Sequence, residues 1–209
     1  MTLDSKDIFL KEIPENIYID LILGNDVWYF ENVLGHSADN SSKVYDSFKR
    51  LISRKLDIHF NNICIVGSAK TGFSFKKGQL VDFRHIQVGK QKASDIDIAV
   101  ISEKWFQRFW DIMLEMKMHN RKIGKNINDY NYACSSIFRK FAIPELLPET
   151  YDEVKEWNSQ VESLLKDFQT IYNIPHTTSF RLYESWDALK NYQLGSIIKV
   201  KEKFTMEDI

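Results

Sequence analysis

The stretch Ser94-Asp95-Ile96-Asp97-Ile98-Ala99-Val100-Ile101 decides the fold. Its β-branched residues predict a strand, and because side chains two apart on a strand point to one face, Asp95 and Asp97 project together. Upstream, Asn62-Ile63-Cys64-Ile65-Val66-Gly67-Ser68 is a second apolar, β-branched run, broken by a Gly-Ser pair, and it reads as a buried strand.

Helical patterns surround these strands. Val44, Phe48, Leu51, Ile52 and Leu56 fall at helical spacing, with Asn40, Ser41 or Ser42 available as the N-cap. Ser102 is placed to cap a helix whose stripe is Phe106, Phe109, Trp110, Met113 and Met116. After Pro144 and Pro148, Thr150 and Glu153 have the spacing of a capping box, and Val154, Trp157, Val161, Leu164, Phe168 and Ile171 form the stripe of a long helix. Residues 177–184 alternate as a strand, and Ser185 precedes a terminal helix carrying Leu189, Tyr192, Val200 and Phe204, weakened by Gly195. Residues 1–40 give only an apolar stretch at Ile17 to Leu23 and the aromatic run Trp28, Tyr29 and Phe30, to which no role attaches. Strands separated by long helical patterns predict an α+β fold, a small mixed sheet flanked by helices.

The chain of 209 residues is long enough for a substantial core, and at 44% apolar and 27% charged it has neither a disordered nor a collagen-like composition. Twenty-eight basic residues stand against 29 acidic ones, a net charge of -1, so no overall field attracts nucleic acid or an anionic membrane and any affinity for phosphate is local. Cys64 and Cys134 lack the spacing of a disulfide framework or zinc site and read as structural thiols. With no basic start followed by an apolar run and no stretch of membrane-spanning length, a cytoplasmic location is expected.

Two carboxylates side by side repel unless a cation neutralises them, and hard divalent ions prefer carboxylate oxygens. Asp95 and Asp97 are therefore either metal ligands or solvated acids at a strand start. Gly67 lets a phosphate approach backbone N–H groups and Ser68 adds a hydroxyl donor, although a glycine and serine also commonly end a strand. Gly67 to Ser74 has the glycine spacing of a P-loop, but Phe73 stands where that motif needs lysine, so the mechanism fails. His36, His59, His85, His119 and His176 are scattered and read as surface or packing residues, and no G-x-S-x-G elbow favours a hydrolase.

Val66-Gly67-Ser68, Gly72 and Ser94-Asp95-Ile96-Asp97-Ile98, over roughly residues 40 to 115, resemble the nucleotidyltransferase superfamily of DNA polymerase beta and the minimal nucleotidyltransferases. The resemblance implies that Gly67 and Ser68 hold nucleotide phosphates and that Asp95 and Asp97 bind Mg2+ or Mn2+. A nucleoside monophosphate would then pass from an NTP to an acceptor hydroxyl on a protein, nucleotide or RNA; such relatives often act in bacterial toxin-antitoxin or phage-defence modules. The second expectation is a catalytically inactive module of the same fold that binds nucleotide or a protein partner. The resemblance divides the chain into a core at 1–142 with N-terminal helices and a mainly helical extension at 143–209 that adds one strand to the same sheet.

Two departures stand out. The segment between Ser68 and Asp95 is long, apolar in part and basic, with Lys70, Lys76, Lys77, Arg84, Lys90 and Lys92 against Asp82. It is either a phosphate-facing rim or a solvated insertion. Active members place a third acid on a neighbouring strand, and the only candidate is Glu184, which is equally suited to the N-terminus of the helix that follows.

Overall fold

The structure, a computed structural model, describes residues 3–76, 78–87, 89, 92–119 and 127–207. Strand β1 (Ile63–Val66) pairs antiparallel with β4 (Ile96–Ile101), which pairs parallel with β6 (Thr178–Tyr183); the short β5 (Phe141–Ala142) closes the other edge antiparallel to β6, giving the order β1-β4-β6-β5. Both anticipated strands and the one after Pro175 are present, and the last takes an inner position. The boundary anticipated at residue 142 therefore runs through the sheet.

Alternation along β4 and β6 sorts their side chains onto two faces. Ile96, Ile98 and Val100 join Ile63, Ile65, Phe180 and Leu182 in a buried layer against α4 (Ala38–Leu56), α6 (Glu103–Met118) and α8 (Asp152–Tyr172). The opposite face, with Cys64, Val66, Ala99, Ile101, Phe141 and Tyr183, packs against α1 (Leu3–Lys11), α2 (Pro14–Tyr18) and α9 (Trp186–Glu207). The result is a sheet between two helical layers, the arrangement by which a sheet buries both faces.

Helical stripes explain the covering layers. On α8, Val154, Trp157, Val161, Leu164 and Phe168 recur every three or four residues and are all buried, while Ile171, read as part of that stripe, is 60% exposed. Trp157 lies between Trp105, Phe109 and Phe180, ring centroids 5.3, 5.8 and 6.3 Å away. Ser102 caps α6 as anticipated, its hydroxyl accepting from the Trp105 amide at 3.3 Å, and Ser185 accepts from Ala188 N–H at 3.2 Å. Two anticipated caps are corrected. Helix α4 starts at Ala38, six residues before the first stripe residue Val44 and behind Ser37 rather than Asn40, Ser41 or Ser42, and α8 starts behind Tyr151 without the Thr150–Glu153 box; neither N-cap residue makes a side-chain capping bond. Cap spacing is a weak signal that tertiary context overrides, as the buried Ser41 in the first turn of α4 illustrates. Gly195 does not interrupt α9.

The insertion has its own structure. A single turn, α5 (Ser68–Thr71), leads into an antiparallel hairpin of β2 (Phe73–Lys76) and β3 (Gln79–Asp82). Phe73 and Phe75 pack on Phe9 of α1 at 6.5 and 5.6 Å, and Phe9 meets Phe204 of α9 at 6.1 Å, which ties the hairpin to both ends of the chain. Cys64 is buried, its thiol pushed up to about 12 by that burial, and neither cysteine forms a disulfide. Among the described residues no helix is long and apolar enough to cross a membrane.

Candidate functional site

β1 runs antiparallel to β4, so its C-terminal turn lies at the end of the sheet where β4 begins. Register places Val66 opposite Asp97, and Asp97 opposite Ser179 of β6. Gly67 and Asp97 are thereby brought together, and Asp95, just before β4, lies close enough to add its negative field at Asp97.

Gly67 has φ +68° and ψ -153°, a region essentially reserved for glycine. A Cβ there would lie 2.9 Å from Asp97 Oδ2. The close approach that this glycine allows is thus that of the Asp97 carboxylate. The Lys70 and Thr71 amides donate to the Gly67 carbonyl at 3.1 and 3.3 Å, and Gly72 N–H to Ser68 O at 2.9 Å, closing the turn. Ser68 is buried. Lys70 points away from the acids: its buried ammonium donates to the carbonyls of Gly24 and Asp26 and sits 5.6 Å from the Tyr45 ring centre, and burial lowers its pKa to about 8.

Asp97 is largely buried and already partnered. Ser179 Oγ donates to its Oδ1 at 3.0 Å, and Arg181 Nη2 lies 3.4 Å from the same oxygen. Arg181 Nη1 donates to the Tyr192 hydroxyl of α9 at 2.9 Å. Burial pushes the Asp97 carboxyl above the usual range; Arg181 and the Ser179 hydrogen bond oppose this, and the neighbouring Asp95 adds to it. Lys76, at the end of β2, adds a further positive field at Asp97. Of the other basic insertion residues, Arg84 donates through Nε to Lys92 O at 3.0 Å, and Lys77 and Lys90 lie outside the described residues.

Glu184 is not a third acid for this pair. Parallel pairing puts it at the far end of β6, five residues beyond Ser179 and so roughly 16 Å along the strand. There it accepts from Lys140 Nζ at 2.7 Å, and its amide donates to Lys140 O at 3.0 Å. Among the described residues no three His, Cys, Asp or Glu side chains are grouped to hold a metal ion. The strand residues facing Asp97 from β6 are Ser179 and Arg181. Arg181 escaped the sequence reading because an arginine in an alternating strand carries no motif, and only the register of β4 with β6 reveals its partner.

A ring cluster flanks Asp95. Ser94 N–H donates to Arg84 O at 2.9 Å and Arg84 N–H to Ser94 Oγ at 3.0 Å, while Ile96 N–H donates to Thr177 O at 2.9 Å. His85 and His176 are next in chain to Arg84 and Thr177, and so adjoin the segments bonded to Ser94 and Ile96 on either side of Asp95. His176 Nε2 bonds His85 O at 3.1 Å, and its Nδ1 bonds the buried Tyr29 hydroxyl at 2.8 Å. Phe83 sits among them, 5.2 Å from His176, 5.5 Å from His85 and 5.5 Å from Trp28. Trp28 and Tyr29 belong to α3 (Trp28–Asn32), so the N-terminal region builds one wall of this end of the sheet.

Fold and site together define an α+β protein with a carboxylate pair, a glycine turn and a bound arginine at one end of a mixed sheet. Comparison of the chain with known protein families, with curated proteins and with solved structures finds no match.

Proposed function

We propose that the chain is a nucleotidyltransferase-like module that binds the phosphates of a nucleotide at the Gly67 end of the sheet without transferring the nucleoside monophosphate. The observation that carries this reading is Arg181 at 3.4 Å from Asp97, on the strand where an active relative would supply its third acid. A guanidinium neutralises the carboxylate pair as a metal ion would, and it remains protonated throughout the physiological range.

The donor set does not fit a two-metal centre. Divalent ions of this class take about six oxygen ligands each, whereas here Asp97 accepts from Ser179 and faces Arg181, and among the described residues no third metal-ligating acid joins it and Asp95. A planar guanidinium fork is also the side chain best shaped to meet phosphate oxygens. Lys76 supports the same charge preference.

Equilibrium binding of ATP, GTP, CTP, UTP and inorganic tripolyphosphate, each with Mg2+ and again with EDTA, tests the reading. Binding is expected to persist in EDTA, to weaken at least tenfold in Arg181→Ala and to be partly retained in Arg181→Lys, with no pyrophosphate released. Absence of phosphate binding under both conditions would sink it.

A second reading is favoured by one contact, the 2.9 Å approach of Asp97 Oδ2 to the position of a Gly67 Cβ, which keeps acid and phosphate turn adjacent as in a working transferase. In that reading Asp95 and Asp97 hold Mg2+ or Mn2+, Gly67 and Ser68 hold the NTP phosphates, and the acceptor is a hydroxyl of protein, nucleotide or RNA. Incubation with labelled NTPs and cell extract decides between the two: metal-dependent label transfer, lost in both Asp95→Ala and Asp97→Ala, would replace the first reading.

A further inference from the structure

Aromatic rings at a protein surface normally hide their faces in the core, so a ring cluster that adjoins a charged strand end calls for a reason. Here the cluster draws on separate parts of the chain: Trp28 and Tyr29 from α3, Phe83 and His85 from the segment after β3, and His176 from the segment before β6. Tyr29 and Phe83 are buried and form its floor. Trp28 and His176 are half-buried, His85 is exposed, and the Trp28 and His85 rings lie 6.0 Å apart.

The cluster is held in place. The Trp28 indole lies against Gly72, where a Cβ would come within 2.9 Å of its Nε1, and Gly72 has φ +84°. Lys70 clamps the Gly24 and Asp26 carbonyls just before Trp28 in the chain. The Tyr29–His176–His85 relay fixes the other side. Gly67 and Gly72 bracket the single turn α5 and lie five residues apart, about 7.5 Å at 1.5 Å per residue, so the Trp28 ring stands little more than one helical turn from the glycine facing Asp97 and within the length of a nucleotide.

We infer that Trp28 and His85 form a stacking platform for the base of the nucleotide whose phosphates occupy the Gly67 and Arg181 end of the site. The inference rests on the phosphate-binding reading above and adds the part of the ligand that reading leaves open. A flat heteroaromatic ring fits the observations: every nucleobase has a π face, and stacking on aromatic side chains tolerates any of the four. The platform is built by residues 24–30 and 83–85, which lie outside the two motifs that carry the family resemblance.

The test compares inorganic tripolyphosphate, which has no base, with the four nucleoside triphosphates on the full chain. Each NTP is expected to bind about 5- to 100-fold tighter than tripolyphosphate, the range of one base–aromatic stacking contact. Trp28→Leu should close that gap and His85→Ala narrow it, with tripolyphosphate affinity unchanged in both. His85 is exposed, so its substitution leaves the fold intact even if Trp28→Leu lowers stability, and denaturant unfolding of each variant checks this. Tripolyphosphate and NTPs binding equally well, or a gap that survives both substitutions, overturns the platform while the phosphate reading stands. Failure of tripolyphosphate and NTPs alike brings down the phosphate reading itself and this inference with it.

Discussion

The two faces of the sheet obey different rules. Toward α4, α6 and α8, the side chains from Ile96 to Val100 on β4 and from Phe180 to Leu182 on β6 are apolar and buried, with the half-buried Thr178 at the strand start. Toward α1 and α9, the same strands begin with Asp97, Ser179 and Arg181 and become apolar only at Ala99, Ile101 and Tyr183. One face is held by close packing and tolerates no vacancy. The other carries buried charge at its end, which is tolerable only when paired and hydrogen-bonded. The contrast teaches that the site lies where the second face gives up apolar burial, and that Arg181 is what makes this affordable.

The largest expected effect tests the packed face. Trp157→Ala should cost about 3–5 kcal/mol in denaturant unfolding, because the indole is wholly buried between Trp105, Phe109 and Phe180. A loss below about 1 kcal/mol would mean that this face is looser than described.

Next comes the charged face. Arg181→Ala leaves the Asp97 carboxylate buried without its cation, at a cost of roughly 2–3 kcal/mol at pH 7. The Asp97 carboxyl titrates above the usual range, and a neutral carboxyl needs no guanidinium, so the cost should shrink as the pH falls through that raised value. Unfolding followed from pH 7 down through the acid range reads the difference, and Asp97→Asn in the Arg181→Ala background should recover part of the loss. A cost that stays constant across that whole range would show that the pair is not the reason.

Gly67→Ala probes the junction between the faces. It forces a side chain into a glycine-only conformation, worth about 1–3 kcal/mol, and sets a methyl 2.9 Å from Asp97 Oδ2. Asp97→Ala should relieve the clash but not the backbone strain, so the double variant should remain less stable than Asp97→Ala alone; equal stability of the two would remove strain from the account.

The smallest effect concerns His176. Burial lowers its pKa below 6.5, and the neutral ring can accept from the Tyr29 hydroxyl at Nδ1. A base whose folded pKa is depressed is protonated preferentially in the unfolded chain. Its contribution is therefore fully present above pH 6.5 and is lost progressively below it, until the folded value is passed. Unfolding midpoints between pH 8 and 5 should fall with pH more steeply in the wild type than in His176→Gln.

Legibility followed the range of the interactions. The stripe from Val154 to Phe168 and the runs Ile63–Val66 and Ile96–Ile101 were readable because periodicity is set by neighbours in the chain. Helix starts were less so: Thr150 and Glu153 had the right spacing, but α8 begins behind Tyr151. Local motif singles out Asp95, Asp97, Gly67 and Ser68, and the structure places Gly67 against the Asp97 carboxylate. Arg181 and the ring cluster were not found, since each acquires its meaning from a partner far away in sequence. For the same reason local sequence leaves the two roles of Glu184 undecided, and only the parallel register shows that it lies at the opposite end of the strand from Asp97.

By itself, the sequence determined the alternation that makes strands, the stripes that make helices, and the pair of acids two residues apart, all consequences of backbone geometry over a few residues. Tertiary structure alone decided that Ser179, 82 residues away, would meet Asp97 with Arg181 beside it, and that Trp28 would lie on Gly72. Strand register and the docking of the N-terminal helices choose those partners. Both depend on burying the whole apolar surface of the chain at once, which no local stretch can express.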